Sequence, residues 1–303
     1  MIIVKLIGGL GNQMFQVAFA RALSLETKEE IFLDISVYKK YKIRNFSLSN
    51  LRVDKEVQLI DKSKLSNFQK IYLKTTQKTY HIFQKVIGLI PNNYKTLELI
   101  YNFLSKFGLH YNFGRTFFNV QYKVKNINCL YGYFQSENYF LKHQEQIRRD
   151  FIVNQSVGNR EGRLLHQIKN CNAVAISMRL GEDYTNSKLL NVCNEDYYYK
   201  AIDYIDKSIK DAVYFIFSDR IDFAKSKFNF KHNVYFIDGF KDYESLRLMY
   251  SCKHFIIANS SFSWWGSYLS SNSKKIVVAP SKWYNDDIEK SHIYLDSMIL
   301  IDV

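Results

Sequence analysis

Apolar residues run from Ile2 to Ile7 with a single interruption at Lys5, and the next stretch, QMFQVAFARALSLE, changes to helical spacing. The first pattern predicts a strand buried on both faces, the second a helix with one face in a core. IFLDIS (31–36) then predicts a second strand. The opening of the chain therefore predicts a β-α-β unit with parallel pairing and a right-handed crossover. The rhythm returns from about Cys171, where AVAISM, VYFIFSD, NVYFID, HFIIA and KIVVAP predict strands. EDYYYKAIDYIDKSIK and DYESLRLMYSC predict helices between them. Two such blocks predict an α/β protein with two Rossmann-like domains facing a cleft, 1–155 and 156–303.

Between the blocks, residues 62–125 hold eleven Lys or Arg and a single acidic residue, Glu98, with aromatics interleaved. This predicts a basic helical insertion in the N-terminal half. Its basic face admits two readings, a solvated surface or a surface that docks on an anionic membrane. The net charge of +13 over 303 residues favours acidic partners. No nucleic-acid-binding motif accompanies that charge, so nucleic acid is not expected as a partner. The four cysteines show neither C-x-x-C spacing nor histidines at metal-site intervals, so no metal is expected. Met1 leads straight into the strand pattern without a basic leader, and no apolar stretch is long enough for a span. A cytoplasmic protein, soluble or peripheral on the inner membrane face, is the expectation.

Three segments carry candidate chemistry. The turn Gly8-Gly9-Leu10-Gly11-Asn12-Gln13 joins the first strand to the first helix. Glycines let backbone approach a ligand, and a helix mouth offers N–H groups to an anion or a polar sugar. Asn12 and Gln13 add two amides there, which a merely tight turn does not require. The second segment, Asn259-Ser260-Ser261-Phe262-Ser263-Trp264-Trp265-Gly266, follows the strand HFIIA. One of its polar residues can cap the helix, and the cluster of hydroxyls suits a diphosphate. The paired tryptophans are expected in the core. The third segment sets Ser177, Arg179, Gly181, Glu182 and Asp183 at the carboxyl end of AVAIS. Arg179 there either grips phosphate oxygens with its planar fork or forms a structural pair with an aspartate. The spacings of a dinucleotide fold, a P-loop and a nucleophile elbow are all missing.

GGLGNQMFQ, GYFQSENYF (132–140), FIFSD, CKHFIIANSSFSWWGSYL and IVVAPSKWY occur in this order along the chain. Together they resemble the bacterial α-1,2-fucosyltransferases of glycosyltransferase family 11. The resemblance implies a GT-B-like pair of Rossmann domains and transfer of L-fucose from GDP-fucose with inversion. It implies no metal or other cofactor, and the lack of any D-x-D motif agrees. Arg179 matches the family arginine expected on the donor β-phosphate. Ser177 stands where the family has histidine, Leu180 where it has a second arginine, and Asp219-Arg220 where it has two aspartates. Glu182 and Asp183 both lie near the family's acidic position, and an R-x-G-x-D pattern selects Asp183.

The candidate catalytic residues are thus Arg179, Asn12 and Asp183. Donor contacts fall to Gly9, Gly11, Gln13, Ser177, Asp219, Asn259, Ser260, Ser261, Phe262 and Ser263. Glu137 is an acceptor-side candidate, and the general base stays open. The expected acceptor is an oligosaccharide or lipid-linked glycan, a surface polysaccharide precursor taking fucose on a galactose-type 2-hydroxyl. Another GDP-deoxysugar as donor, or a catalytically impaired GDP-sugar-binding protein, are the alternatives.

Overall fold

The computed structural model describes residues 1–39, 45–61, 63–87, 94–112, 117–118, 127–230, 233–285 and 291–303. The chain divides into two compact units, Met1–Phe151 with Ile288–Ile293, and Ile152–Asp287 with Tyr294–Val303.

In the first unit the chain runs β1 (Ile2–Lys5), α1 (Leu10–Thr27), β2 (Ile31–Asp34) and β3 (Val57–Leu59). It continues through α2 (Asn67–Ile87), α3 (Tyr94–Ser105), β4 (Leu109–Tyr111), β5 (Asn128–Tyr131) and α4 (Gln144–Asp150). The sheet order is β3-β2-β1-β5-β4, and every pairing is parallel. Strand order reverses beside β1, so the carboxyl ends of β1 and β5 flank a topological switch point, where open α/β sheets bind ligands.

The basic region is more than a helical insertion. It includes β4, which closes the sheet edge, and Gly108 with φ +75° makes the turn into that strand. Helices α2 and α3 cover one sheet face through Leu73, Tyr80 and Leu104, which pack on Ile3, Cys129 and Tyr131. These three strand residues are alternate positions of β1 and β5, as a two-residue period requires. Lys62 and residues 88–93, 113–116 and 119–125 of the basic region lie outside the described residues.

The second unit contains α5 (Asn159–Lys169), β6 (Asn172–Met178), α6 (Glu182–Thr185), α7 (Glu195–Ser208) and β7 (Ala212–Ser218). It continues with α8 (Ile221–Lys227), β8 (Val234–Ile237), α9 (Asp242–Tyr250) and β9 (His254–Ile256). It ends with α10 (Ser261–Leu269), β10 (Val277–Pro280) and β11 (Met298–Ile301). The sheet order β11-β10-β9-β6-β7-β8 is again all parallel. Here the reversal falls between β6 and β9. Val174, Ile176 and Met178 of β6 share a buried cluster with Tyr197, Ala201 and Ile205 of α7. Trp264 and Trp265 are fully buried and meet edge to face, so they belong to the core. Arg247 of α9 holds Glu161 of α5 in a buried, two-pronged ion pair at 2.6 and 2.7 Å. It also donates to the carbonyls of Gln155 and Ser156, so none of its charge is left uncompensated by burial.

Candidate functional site

Both switch points carry the motif residues. In the first unit, Gly8 takes φ +81°, which brings Asn12 against it: a Cβ there would stand 2.5 Å from Asn12 Nδ2. Gly9 is extended (φ −81°, ψ −179°) at the N-cap of α1, and Gly11 is buried inside the helix. The left-handed conformation thus falls on Gly8, which leads the turn.

Asn12 and Gln13 diverge. Gln13 is fully buried; its Nε2 donates to the carbonyls of Gly8 and Asn45, and its Oε1 accepts from Ser47 N–H. It fastens the turn to the 45–47 segment. Asn12 remains half-exposed and accepts 2.8 Å from Gln135 Nε2. Gln135 follows β5, so this bond bridges the switch point and joins GGLGNQ to GYFQSE. Sequence reasoning missed Gln135, although the motif GYFQSE contained it. Tyr38, also missed, donates to the Gly8 carbonyl at 2.8 Å. Glu137 begins a short 3₁₀ turn whose N-cap, Ser136, accepts from Asn138 N–H.

In the second unit the carboxyl ends of the adjacent strands β9, β6 and β7 lead to Ser260, Arg179 and Asp219. Arg179 is gripped by two carboxylates. Its Nη2 lies 2.8 Å from Asp183 Oδ2 and its Nη1 lies 3.0 Å from Asp219 Oδ2. Asp219 Oδ1 meanwhile accepts from the N–H groups of Leu180 and Gly181 at 2.7 and 3.0 Å. The arginine–aspartate pair read from the sequence is therefore present, and doubled. Gly181 makes room for it, since a Cβ there would sit 2.8 Å from Asp183 Oδ1 and 2.9 Å from Asp219 Oδ2. Leu180 joins the buried cluster under α7, and Ser177 is buried.

The guanidinium still opens onto space. A cavity of about 240 Å³ is lined by Ser177, Arg179, Ser218, Asp219, Ser260 and Phe262, among others. A wider one of about 730 Å³ continues past Arg179 to Glu182, Asn191, Asn194, Arg220 and Lys227. Ser260 is the N-cap of α10, yet its side chain makes no capping bond. The first N–H groups of a helix have no partner within it, so the α10 mouth adds positive potential beside the Arg179 charge. Ser261 and Phe262 open that helix, whereas Ser263 is buried and donates to the carbonyls of Ala258 and Ser260.

Asn259 was expected to contact the donor or cap α10; its amide instead ties loops together. Nδ2 donates to the carbonyls of Leu190 and Trp283, and Oδ1 accepts 2.6 Å from Tyr184 OH. Tyr184 OH also accepts from Val192 and Cys193 N–H. Burial pushes the Tyr184 hydroxyl above its usual range and the Cys193 thiol up to about 12, so both stay neutral. Among the described residues no three His, Cys, Asp or Glu side chains gather as a metal-binding group. None of their helices is long and apolar enough to cross a membrane.

Comparison with known proteins agrees with this arrangement. The chain is 31% identical to an alpha-1,2-colitosyltransferase of Escherichia coli, over 93% of its own length and 92% of the relative. It is 32% identical to the O-antigen biosynthesis glycosyltransferase WbnK of Escherichia coli, over 96% and 97% of the two chains. Among solved structures it resembles the fucosyltransferase NodZ from Bradyrhizobium, with TM-score 0.51 and 14% identity over 88% of this chain and 91% of NodZ. NodZ co-crystallized with GDP gives TM-score 0.50 and 13% identity over the same shares. That likeness shows the GT-B-like α/β fold of two parallel sheets. The sequence profile of glycosyl transferase family 11 matches residues 1–302, and with these motifs at both switch points the protein is a glycosyltransferase belonging to that family.

Proposed function

We propose that the protein transfers a 6-deoxy sugar, L-fucose or colitose, from its GDP ester to a galactose-type 2-hydroxyl of an O-antigen precursor. The observation that carries this is the shared cavity of Arg179 and the α10 mouth, which sets a cation beside a helix N-terminus at a strand-order reversal. The relatives' names, a colitosyltransferase and an O-antigen glycosyltransferase, supply the sugar class and the kind of acceptor.

Breaking the bond between sugar and diphosphate leaves negative charge on GDP, and an acceptor hydroxyl attacks the opposite face with inversion. Arg179 and the N–H groups at Ser261 and Phe262 stabilise that charge in this reading, with the Ser260 hydroxyl beside them. To take a phosphate, the guanidinium must exchange one carboxylate. Asp183 is the one to yield, being half-exposed on a four-residue helical turn. Asp219 stays, anchored by two backbone N–H groups, and keeps the fork aimed. Asn259 acts by tying together the loops around the α10 mouth, and Gln13 by fastening the first-unit turn to the 45–47 segment; Gly9 and Gly11 allow α1 to start against that turn. In the first unit, Asn12, oriented by Gln135, and Glu137 in the same turn are the acceptor-side groups. With the leaving group stabilised by Arg179 and helix N–H groups, the reading assigns no role to a metal.

The test is GDP release from GDP-fucose and GDP-colitose with a chelator present, with and without galactose-terminated acceptors. Acceptor-dependent release and an α-1,2 product are expected from at least one donor. Colitose is fucose without its 3-hydroxyl, so the preferred donor also reports whether the site bonds that hydroxyl. Binding of both donors without release from any acceptor would favour a sugar-nucleotide-binding protein.

A further inference from the structure

Helix α2 has two apolar faces. One, through Leu73, Tyr80 and Phe83, packs on the sheet. The other, Phe68, Ile71, Ile82 and Val86, follows at i, i+3, i+14 and i+18 and faces outward. On α3 and the turn after it, Leu99, Phe103 and Phe107 repeat every fourth residue and also face outward. The six most exposed large apolar side chains among the described residues all lie here, from Phe68 at 72% to Phe103 at 57%.

The two stripes join. Tyr72 stacks on Phe68 and donates 3.0 Å to the Phe107 carbonyl, and the Phe107 ring meets Phe103 edge to face. Beside the α2 stripe runs a row of exposed lysines, Lys70, Lys74, Lys78 and Lys85. Glu98 is the single carboxylate in residues 62–125 to oppose them.

Such a face constrains its occupant. A second copy packed through it would lay lysine row against lysine row without carboxylates to pair them. A nucleic acid would satisfy the lysines but leave the phenylalanine and isoleucine side chains in water. An anionic bilayer satisfies both, with phosphates for the ammonium groups and the acyl boundary for the apolar stripe. We propose that the outward face of α2 and α3 docks the protein onto an anionic phospholipid surface, the helices lying in the plane of the headgroups. None of these residues belongs to the sites described above, so the proposal stands or falls independently of the sugar donor.

Flotation of the full chain with phosphatidylcholine vesicles, with and without phosphatidylglycerol, tests it. The protein is expected to float with the anionic vesicles, to stay behind with neutral ones, and to be released by added salt. The combined change Lys70→Gln, Lys74→Gln, Lys78→Gln and Lys85→Gln should lower partitioning, by about fivefold per lysine. Phe68→Gln with Ile71→Gln and Phe103→Gln should also abolish flotation, with thermal melting and GDP binding measured alongside to show that the variant is folded. Wild-type protein that ignores anionic vesicles, or floats with neutral ones equally, overturns the proposal without any variant. So does self-association on sedimentation that these substitutions abolish while flotation persists.

Discussion

Arg179 and Asp219 meet at 3.0 Å from the ends of neighbouring strands, and the same aspartate holds the backbone of Leu180 and Gly181. Asp219 therefore both aims the cation and shapes the loop beneath it. Asp219→Asn keeps an oxygen for the two N–H groups but loses the ionic partner; Asp219→Ala loses both. GDP affinity measured by calorimetry should fall in the order wild type, Asn, Ala. The Ala variant is expected to lose on the order of 10-fold or more, since hydrogen bonds to charged groups contribute about 1.5–3 kcal/mol each. Equal affinity in all three would mean that Arg179 needs no such support.

Asp183 is expected to behave differently. It competes with phosphate for the same guanidinium, and its side chain is 49% exposed against 24% for Asp219. Asp183→Asn should leave GDP binding as tight or tighter, while Asp219→Asn weakens it. Calorimetry on the two variants side by side separates a carboxylate that yields from one that stays.

The Asn12–Gln135 bond belongs to the first unit, and Arg179, which would grip the diphosphate, to the second. Gln135→Ala should lower kcat on the order of 10- to 100-fold through a misplaced Asn12, with GDP affinity unchanged. A loss of GDP affinity matching the loss in rate would instead put Asn12 among the diphosphate contacts.

Tyr184→Phe removes the acceptor of the Val192 and Cys193 N–H groups and the donor to Asn259. All lie in buried surroundings, and an unsatisfied buried polar group costs about 1–3 kcal/mol. Urea denaturation should show a loss of that size for the variant.

His110 supplies a pH dependence. Burial, opposed by its hydrogen bond to Asn128, holds its pKa down to about 4, against about 6.5 when exposed. The unfolded chain therefore binds the proton first as pH falls. Stability from this group is complete above about 6.5 and is lost as pH falls toward about 4, with a slope of at most about 1.4 kcal/mol per pH unit. Melting curves of wild type and His110→Gln should converge as pH drops through that window.

Much of this was legible in the sequence, and the reasons differ from element to element. The apolar run Ile2–Ile7, broken only by Lys5, and the turn after it could only be a buried strand feeding a helix, and AVAISM with Arg179 at its end was equally plain. Strands β3 and β4 were not, because three residues carry no periodicity; their pairing to β2 and β5 comes from the sheet already formed. Gln13 and Asn259 looked like ligand groups because amides at a helix mouth often are. Burial turned both toward backbone carbonyls that no local pattern reveals. Gln135 was missed for the opposite reason: its partner Asn12 lies 123 residues away in the chain.

The role of Arg179 is the point on which the chemistry rests. Transfer from the preferred GDP-sugar, measured as acceptor-dependent GDP release in chelator for wild type and Arg179→Ala, tests it most directly. Loss of one preorganised donor to the leaving group predicts a drop of about 10²- to 10³-fold in kcat, with the melting temperature held. Transfer at near wild-type rate in a folded Arg179→Ala protein would contradict the assignment and remove Arg179 from the reaction.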